Sequence, residues 1–128
     1  MNRAADWLKQ AGQDLSAAED SAATGHHEWA AFQAQQGAEK AVKAFVQSLH
    51  GAVRGHSVSE MLRQITGRVA VPPELIPAAL ELDKVYVTSR YPNGFASGSP
   101  TDYFTEQSSR QLIRYGKDIF EFCRSQIP

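Results

Sequence analysis

Ala4, Leu8, Ala11, Leu15, Ala18 and Ala22 recur at alternating spacings of four and three residues. Only an α-helix brings such positions onto one face, and the charged and amide residues between them fill the others. Because that face is mostly alanine, a neighbouring helix can come close, with Trp7 beside Leu8 supplying bulk at one end. Thr24-Gly25 stops the helix, since glycine takes the left-handed position after a last turn without penalty.

The same period returns along the chain. A second helix is expected from about Glu28 to His50, with Trp29, Phe32, Gln36, Val42, Phe45, Val46 and Leu49 as its inner face. Gly37 inside it costs about 1 kcal/mol against alanine, which implies a partner backbone or a bulky ring lying against it. Ser57-Val58-Ser59-Glu60 has the S-x-x-E form of a capping box and starts a short helix from Val58 to about Thr66, with Val58, Met61, Leu62 and Ile65 inward. "VAVPPEL" opens a fourth helix, with Leu75, Ala79, Leu82, Val85 and Tyr86 on one face. It fades near Ser89, because Tyr91 precedes a proline and is pushed out of the helical region.

Ser99-Pro100-Thr101-Asp102 is another start signal, with serine as cap, proline first and an acid third. The helix it opens is expected to run to about Ser125, and its wide apolar face asks for two contact surfaces, one of them for another chain. With no repeat, no low-complexity tract and no strand-type alternation, the reading is a single all-α domain over residues 1–128. It is an antiparallel up-and-down bundle of four to five helices. The loop 91–100 is longer than such a bundle requires.

Composition narrows the function classes. A formal net charge of −1 over 128 residues gives no global field for nucleic acid or an anionic membrane, so any such contact must come from a local patch. One cysteine, Cys123, lies in the apolar pattern of the last helix and is expected to be a buried, unpaired thiol. No stretch reaches the roughly 20 apolar residues of a membrane span, and "MNRAADWLKQ" lacks the apolar run of a signal peptide. A cytoplasmic protein is expected. His26, His27, His50 and His56 have neither Cys/His nor H-E-x-x-H spacing, so no metal is expected, and His56 is given a local structural role beside the capping serine. No glycine-rich phosphate loop and no G-x-S-x-G occurs, so no cofactor and no nucleophile are nominated.

"AFQAQQGAEKAVKAF" in the second helix, then "GHSVSEML", then "LDKVYVTSRYPNG" form an ordered set that resembles the HEPN family, small prokaryotic helical bundles named for nucleotide binding. The resemblance spans nearly the whole chain. It implies a homodimer, a small nucleotidyltransferase as protein partner in a toxin–antitoxin type of pair, and a nucleotide or RNA as ligand. Active relatives of this kind are metal-independent ribonucleases in which four to six residues separate an arginine from the histidine that follows it. Here Arg90 is followed at those spacings by Phe95, Ala96 and Ser97, a departure that speaks against that activity.

With the resemblance in hand, Arg90 and Tyr91 are candidate nucleotide contacts, the guanidinium as a fork for phosphate and the phenol as a stacking platform. The structural alternative makes Arg90 a cap for the carbonyls ending helix four and Tyr91-Pro92 a packing element of the loop. Lys40 and Lys43 are candidates for phosphate if the second helix lines a groove, against the simpler reading of Glu39 with Lys43 as an i,i+4 pair on a solvated face. Arg110, Arg114 and Lys117 form the only basic stripe, read chiefly as a solvated or interface-lining face. The primary expectation is a dimeric binding module without ribonuclease activity. The alternative is a ribonuclease with a displaced Arg90/His56 pair.

Overall fold

The computed structural model describes residues 2–128, and among them every regular element is helical. Five helices have eight residues or more: α1 (Ala4–Ala23), α2 (His27–Ser48), α3 (Val58–Ile65), α4 (Leu75–Thr88) and α6 (Glu106–Gln126). A single turn, α5 (Pro100–Tyr103), precedes the last of these. The all-helical bundle expected from the periodicity is the fold.

Cross-helix contacts fix the directions. Asp14 meets Lys40 and Ser21 meets Gln33, so α1 and α2 are antiparallel. His27 meets Ser109 and Phe45 meets Phe122, so α2 and α6 run the same way. Phe32 meets Tyr86, which sets α4 against α2. The four long helices therefore alternate up and down, with α3 as a short crosspiece between α2 and α4.

Helix α2 is the central element. Ala30, Ala31, Ala34, Ala38, Ala41 and Ala44 are all fully buried, and together they let α1 and α6 approach from both sides. Only Trp29, Phe32, Gln33, Gln36, Lys40, Lys43 and Gln47 keep a path to solvent along the body of the helix. This corrects the expected inner face: Val42, Phe45 and Val46 are buried as anticipated, but Trp29 is 48% exposed and Phe32 and Gln36 only partly covered. Large side chains do not fit where the alanines bring backbones together, so they collect on the open strip. Gly37 does meet a partner backbone, the Ala11 carbonyl of α1, but the Leu15 side chain rather than a ring comes closest.

Two caps differ from expectation. Ser57 Oγ accepts from the Glu60 N–H at 3.2 Å as the S-x-x-E pattern requires. The free amides of α3, however, are taken by Asp83 of α4, which accepts from Val58 N at 2.7 Å and Ser59 N at 3.3 Å. A carboxylate from a neighbouring helix thus caps α3, and the Ser57 N–H makes no bond to Glu60 among the described residues. Ser99 does open a helix, with its N–H donating to Asp102 Oδ2 at 2.9 Å. That helix ends within one turn, because Thr105 and Ser108 cap each other and restart the chain as α6. The expected single last helix is two.

The 91–100 loop is folded back on itself. Pro92–Gly94 make a 3₁₀ turn, the Phe95 and Tyr103 rings stack at 4.0 Å, and Tyr103 Oη donates to the Ser97 carbonyl at 2.6 Å. Gly98 sits at φ 79°, where other residues are strained. The glycines and prolines shape a compact turn beside the end of α4.

Candidate functional site

Tyr86, on the last turns of α4, is the centre of a cluster drawn from three elements. Arg90, one turn beyond it, doubles back: Nε and Nη2 donate to the Tyr86 carbonyl at 3.0 and 2.6 Å. That is the capping role, since the carbonyls ending a helix lack amide partners. The same geometry lays the guanidinium among three aromatic rings. Its Cζ stands 4.2 Å from the centre of Phe32, 4.9 Å from Tyr86 and 5.1 Å from Tyr91, distances at which the ring faces attract the cation. Tyr91 is 52% exposed, and Trp29 packs edge-on against Phe32. Arg90 is thus fixed by both neighbours, with Nη1 engaged by none of the described residues.

His56 reaches the same tyrosine from the loop before α3. Its ring stacks on Tyr86 at 4.4 Å with an interplanar angle of 16°. Its Nδ1 lies 3.0 Å from Glu39 Oε1 on α2. A carboxylate has only lone pairs to offer, so Nδ1 must carry the proton, and the other nitrogen, Nε2, has no hydrogen-bond partner among the described residues. His56 and Arg90 are separated by no more than their two distances to the Tyr86 ring laid end to end.

Glu39 is held as tightly as a buried carboxylate needs. It is 5% exposed, and Lys43 donates to Oε2 at 3.0 Å while Gln35 donates to Oε1 at 3.2 Å. Gln35, fully buried, also donates to the His56 carbonyl at 3.0 Å and accepts from Gln36 at 2.8 Å. Every polar atom of this core is paired, so the network fixes one geometry. The Gln-x-x-Ala-Glu-Lys-Ala-x-Lys run is the sequence of that network: Gln35 and Glu39 stand one turn apart, then Glu39 and Lys43 one more.

The sequence candidates fall into two groups. Arg90 and Tyr91 belong to the cluster, and Lys43 joins it through Glu39. Lys40 does not: its Nζ donates to Asp14 Oδ2 at 2.6 Å, on the α1 side, where it lines a groove with Arg3, Trp7 and Lys9. Lys43 lies 5.8 Å from the Trp7 ring and links the two sides of the α2 strip. The residues that sequence reasoning left out of the site are Glu39 and Tyr86, while His56 entered only in the alternative reading, as a displaced partner of Arg90. Glu39 was legible only as the partner of Lys43, and nothing in linear spacing joins it to a histidine 17 positions on.

The basic stripe of α6 is spoken for. Arg110 donates to Glu19 of α1 at 2.9 Å and Lys117 also pairs with Glu19, while Arg114 bonds Gln111. The hydrogen bond from Lys117 holds the Glu19 carboxyl below its ordinary value. Arg110 and Lys117 close the α1–α6 seam, and the acid that neutralises them is on α1. His27 Nδ1 meets the fully buried Ser109 Oγ at 2.9 Å, a structural pin between α2 and α6. Among the described residues no cluster of His, Cys, Asp and Glu is arranged for a metal. No helix of the described residues is long and apolar enough to cross a membrane.

Comparisons with known proteins agree with this architecture. A family model described as "HEPN domain" matches residues 4–126. The crystal structure of TT1696 from Thermus thermophilus superposes with a TM-score of 0.95 at 35% identity, covering 98% of this chain and 99% of that one. An archaeal HEPN homologue, ST0689, gives 0.85 at 38% identity with both chains covered in full. A HEPN domain protein of Thermotoga maritima gives 0.78 at 34% identity, over 94% of this chain and 95% of that one. A Methanocaldococcus jannaschii protein named "Putative toxin MJ1304" is 27% identical over 92% of this chain and 84% of its own length.

Proposed function

Since the chain belongs to the HEPN domain family, we propose that it is a binding module for a nucleotide, working as a dimer beside a small nucleotidyltransferase partner. Its binding face is the end of α4, with Arg90 and Tyr91 at its centre. One observation carries the nucleotide half: Arg90 is locked among Phe32, Tyr86 and Tyr91 yet keeps Nη1 uncommitted beside the exposed Tyr91 ring. A preset donor next to an open aromatic surface suits a phosphate joined to a base, because little side-chain freedom remains to be lost on binding. The dimer and the protein partner rest on family membership and on the apolar rim: Trp29, Val87 and Tyr91 are all about half exposed around Arg90.

Titration calorimetry with AMP and ATP, backed by NMR shifts of the Trp29 and Tyr91 resonances, tests the ligand. Absence of both heat and shifts at millimolar nucleotide ends the reading. Light scattering of the purified chain tests the dimer, and co-purification with a nucleotidyltransferase tests the partner.

A second reading has one specific observation in its favour. A ribonuclease needs an acid/base histidine within hydrogen-bond reach of the scissile group and a cation for the phosphate. His56 and Arg90 flank one tyrosine ring, and Glu39 orients the imidazole. The protein named as a toxin among the relatives accords with such an activity. Incubation of a labelled RNA with wild type and His56→Ala separates the two: cleavage that disappears in the variant makes the protein an enzyme.

A further inference from the structure

The surroundings of His56 add a second contact to the nucleotide site and tie it to pH. Two nitrogens beside Tyr86, His56 Nε2 and Arg90 Nη1, are used by no hydrogen bond among the described residues. Glu39 faces His56 from α2 with Lys43 behind it. From α4 come Tyr86 and Arg90, with Asp83 on the adjoining residues Ser57, Val58 and Ser59. Two acids and two bases balance there, so with a neutral imidazole the site has no surplus charge for an anion. A neutral His56 bound to Glu39 through Nδ1 also carries a lone pair at Nε2, which repels a phosphate oxygen. Adding one proton at Nε2 changes both: the site gains a positive charge, and the lone pair becomes a donor. Glu39 stays on Nδ1 in either state, so the ring need not turn.

We propose that a phosphate group seats between His56 Nε2 and Arg90 Nη1 at the edge of Tyr86, and that His56 takes up a proton when it binds. Glu39 is the positioning residue. The inference rests on the nucleotide reading above and deepens it: the ligand is recognised through a phosphate, and its affinity follows the charge of one histidine.

Calorimetry of the full chain in buffers of different ionisation heat tests it, with AMP and adenosine as probes and His56→Asn as the variant. Asparagine keeps a donor near the Nδ1 position for Glu39 and removes Nε2. His56 is 53% exposed at its side chain, so the change leaves the core alone. Wild type is expected to take up protons on binding AMP but not adenosine, and His56→Asn to bind AMP about tenfold more weakly at pH 6, the worth of one charge-assisted hydrogen bond. The wild-type advantage shrinks towards pH 8, a ratio from which AMP's own ionisation cancels. If AMP binds both proteins alike with equal proton uptake, the clamp is overturned while the nucleotide site stands. If neither AMP nor adenosine binds wild type, the nucleotide reading falls and takes the clamp with it.

Discussion

Leu15 occupies the space that a β-carbon on Gly37 would need: such a carbon would stand 2.7 Å from Leu15 Cγ and 3.2 Å from the Ala11 carbonyl oxygen. The α1–α2 seam is therefore set by a missing methyl. Alanine is the better helix former by about 1 kcal/mol, but overpacking a closed seam costs about 1–3 kcal/mol, and the Ala11 backbone cannot swing aside. Gly37→Ala is expected to lower stability by about 1 kcal/mol in urea unfolding. Leu15→Ala should cost less in the Gly37→Ala background than in wild type, because it removes the clash as well as the contact. A Gly37→Ala protein more stable than wild type would mean that the helices can part at no cost.

Cys123 makes a different kind of prediction. Its thiol is fully buried, and burial pushes it up to about 12. An unfolded thiol ionises near pH 8.5, so above that pH the unfolded chain sheds a proton that the native one retains. The stabilising effect of the neutral thiol is complete below that point and is lost as pH rises towards 12. Between pH 8 and pH 10 wild type should lose about 2 kcal/mol more than Cys123→Ala, which lacks the group. Urea unfolding at the two pH values measures the difference, and equal losses would refute it. The native protein should also resist thiol reagents at pH 8 until it unfolds.

The helix periodicity was readable because each stripe is a local property of the chain. Ala11, Leu15 and Ala18 announce a face whatever packs on it, and Ser99 and Asp102 bond each other within four residues. Reading failed where a residue's role depends on something distant. Trp29 looked like core because it is apolar and in phase, yet the alanines of α2 had already claimed the interior. The first amides of α3 are capped by Asp83, a residue 25 positions beyond Val58. The site was half legible for the same reason: Arg90 and Tyr91 stood out beside a loop, whereas Glu39, His56 and Tyr86 meet only in the folded chain.

Loop 91–100 should be as rigid as its anchor. The stack of Phe95 on Tyr103 and the bond from Tyr103 Oη to Ser97 O are local and partly exposed, together holding the loop by about 2 kcal/mol. Tyr103→Ala is expected to raise the rate of proteolytic nicking between residues 91 and 100 roughly thirtyfold, with global stability nearly unchanged. Tyr103→Phe, which keeps the stack, should fall between the two. Equal nicking of all three proteins would show that the loop is held by something else.

Arg90→Lys separates the cap from the charge. Lysine keeps one positive charge but has no planar fork, so it cannot hold the Tyr86 carbonyl through two nitrogens while lying flat on Phe32. Losing one hydrogen bond from a charged donor and most of the ring contact should cost about 1–2 kcal/mol in thermal or urea unfolding. The end of α4 should fray as well, seen as faster amide exchange at Ser89, Arg90 and Tyr91, whose N–H groups bond back to Val85 and Val87. If charge alone mattered at this position, Arg90→Lys would match wild type in stability and exchange, while Arg90→Gln would not. If the fork matters, as the two bonds to one carbonyl require, lysine and glutamine should be similarly destabilised.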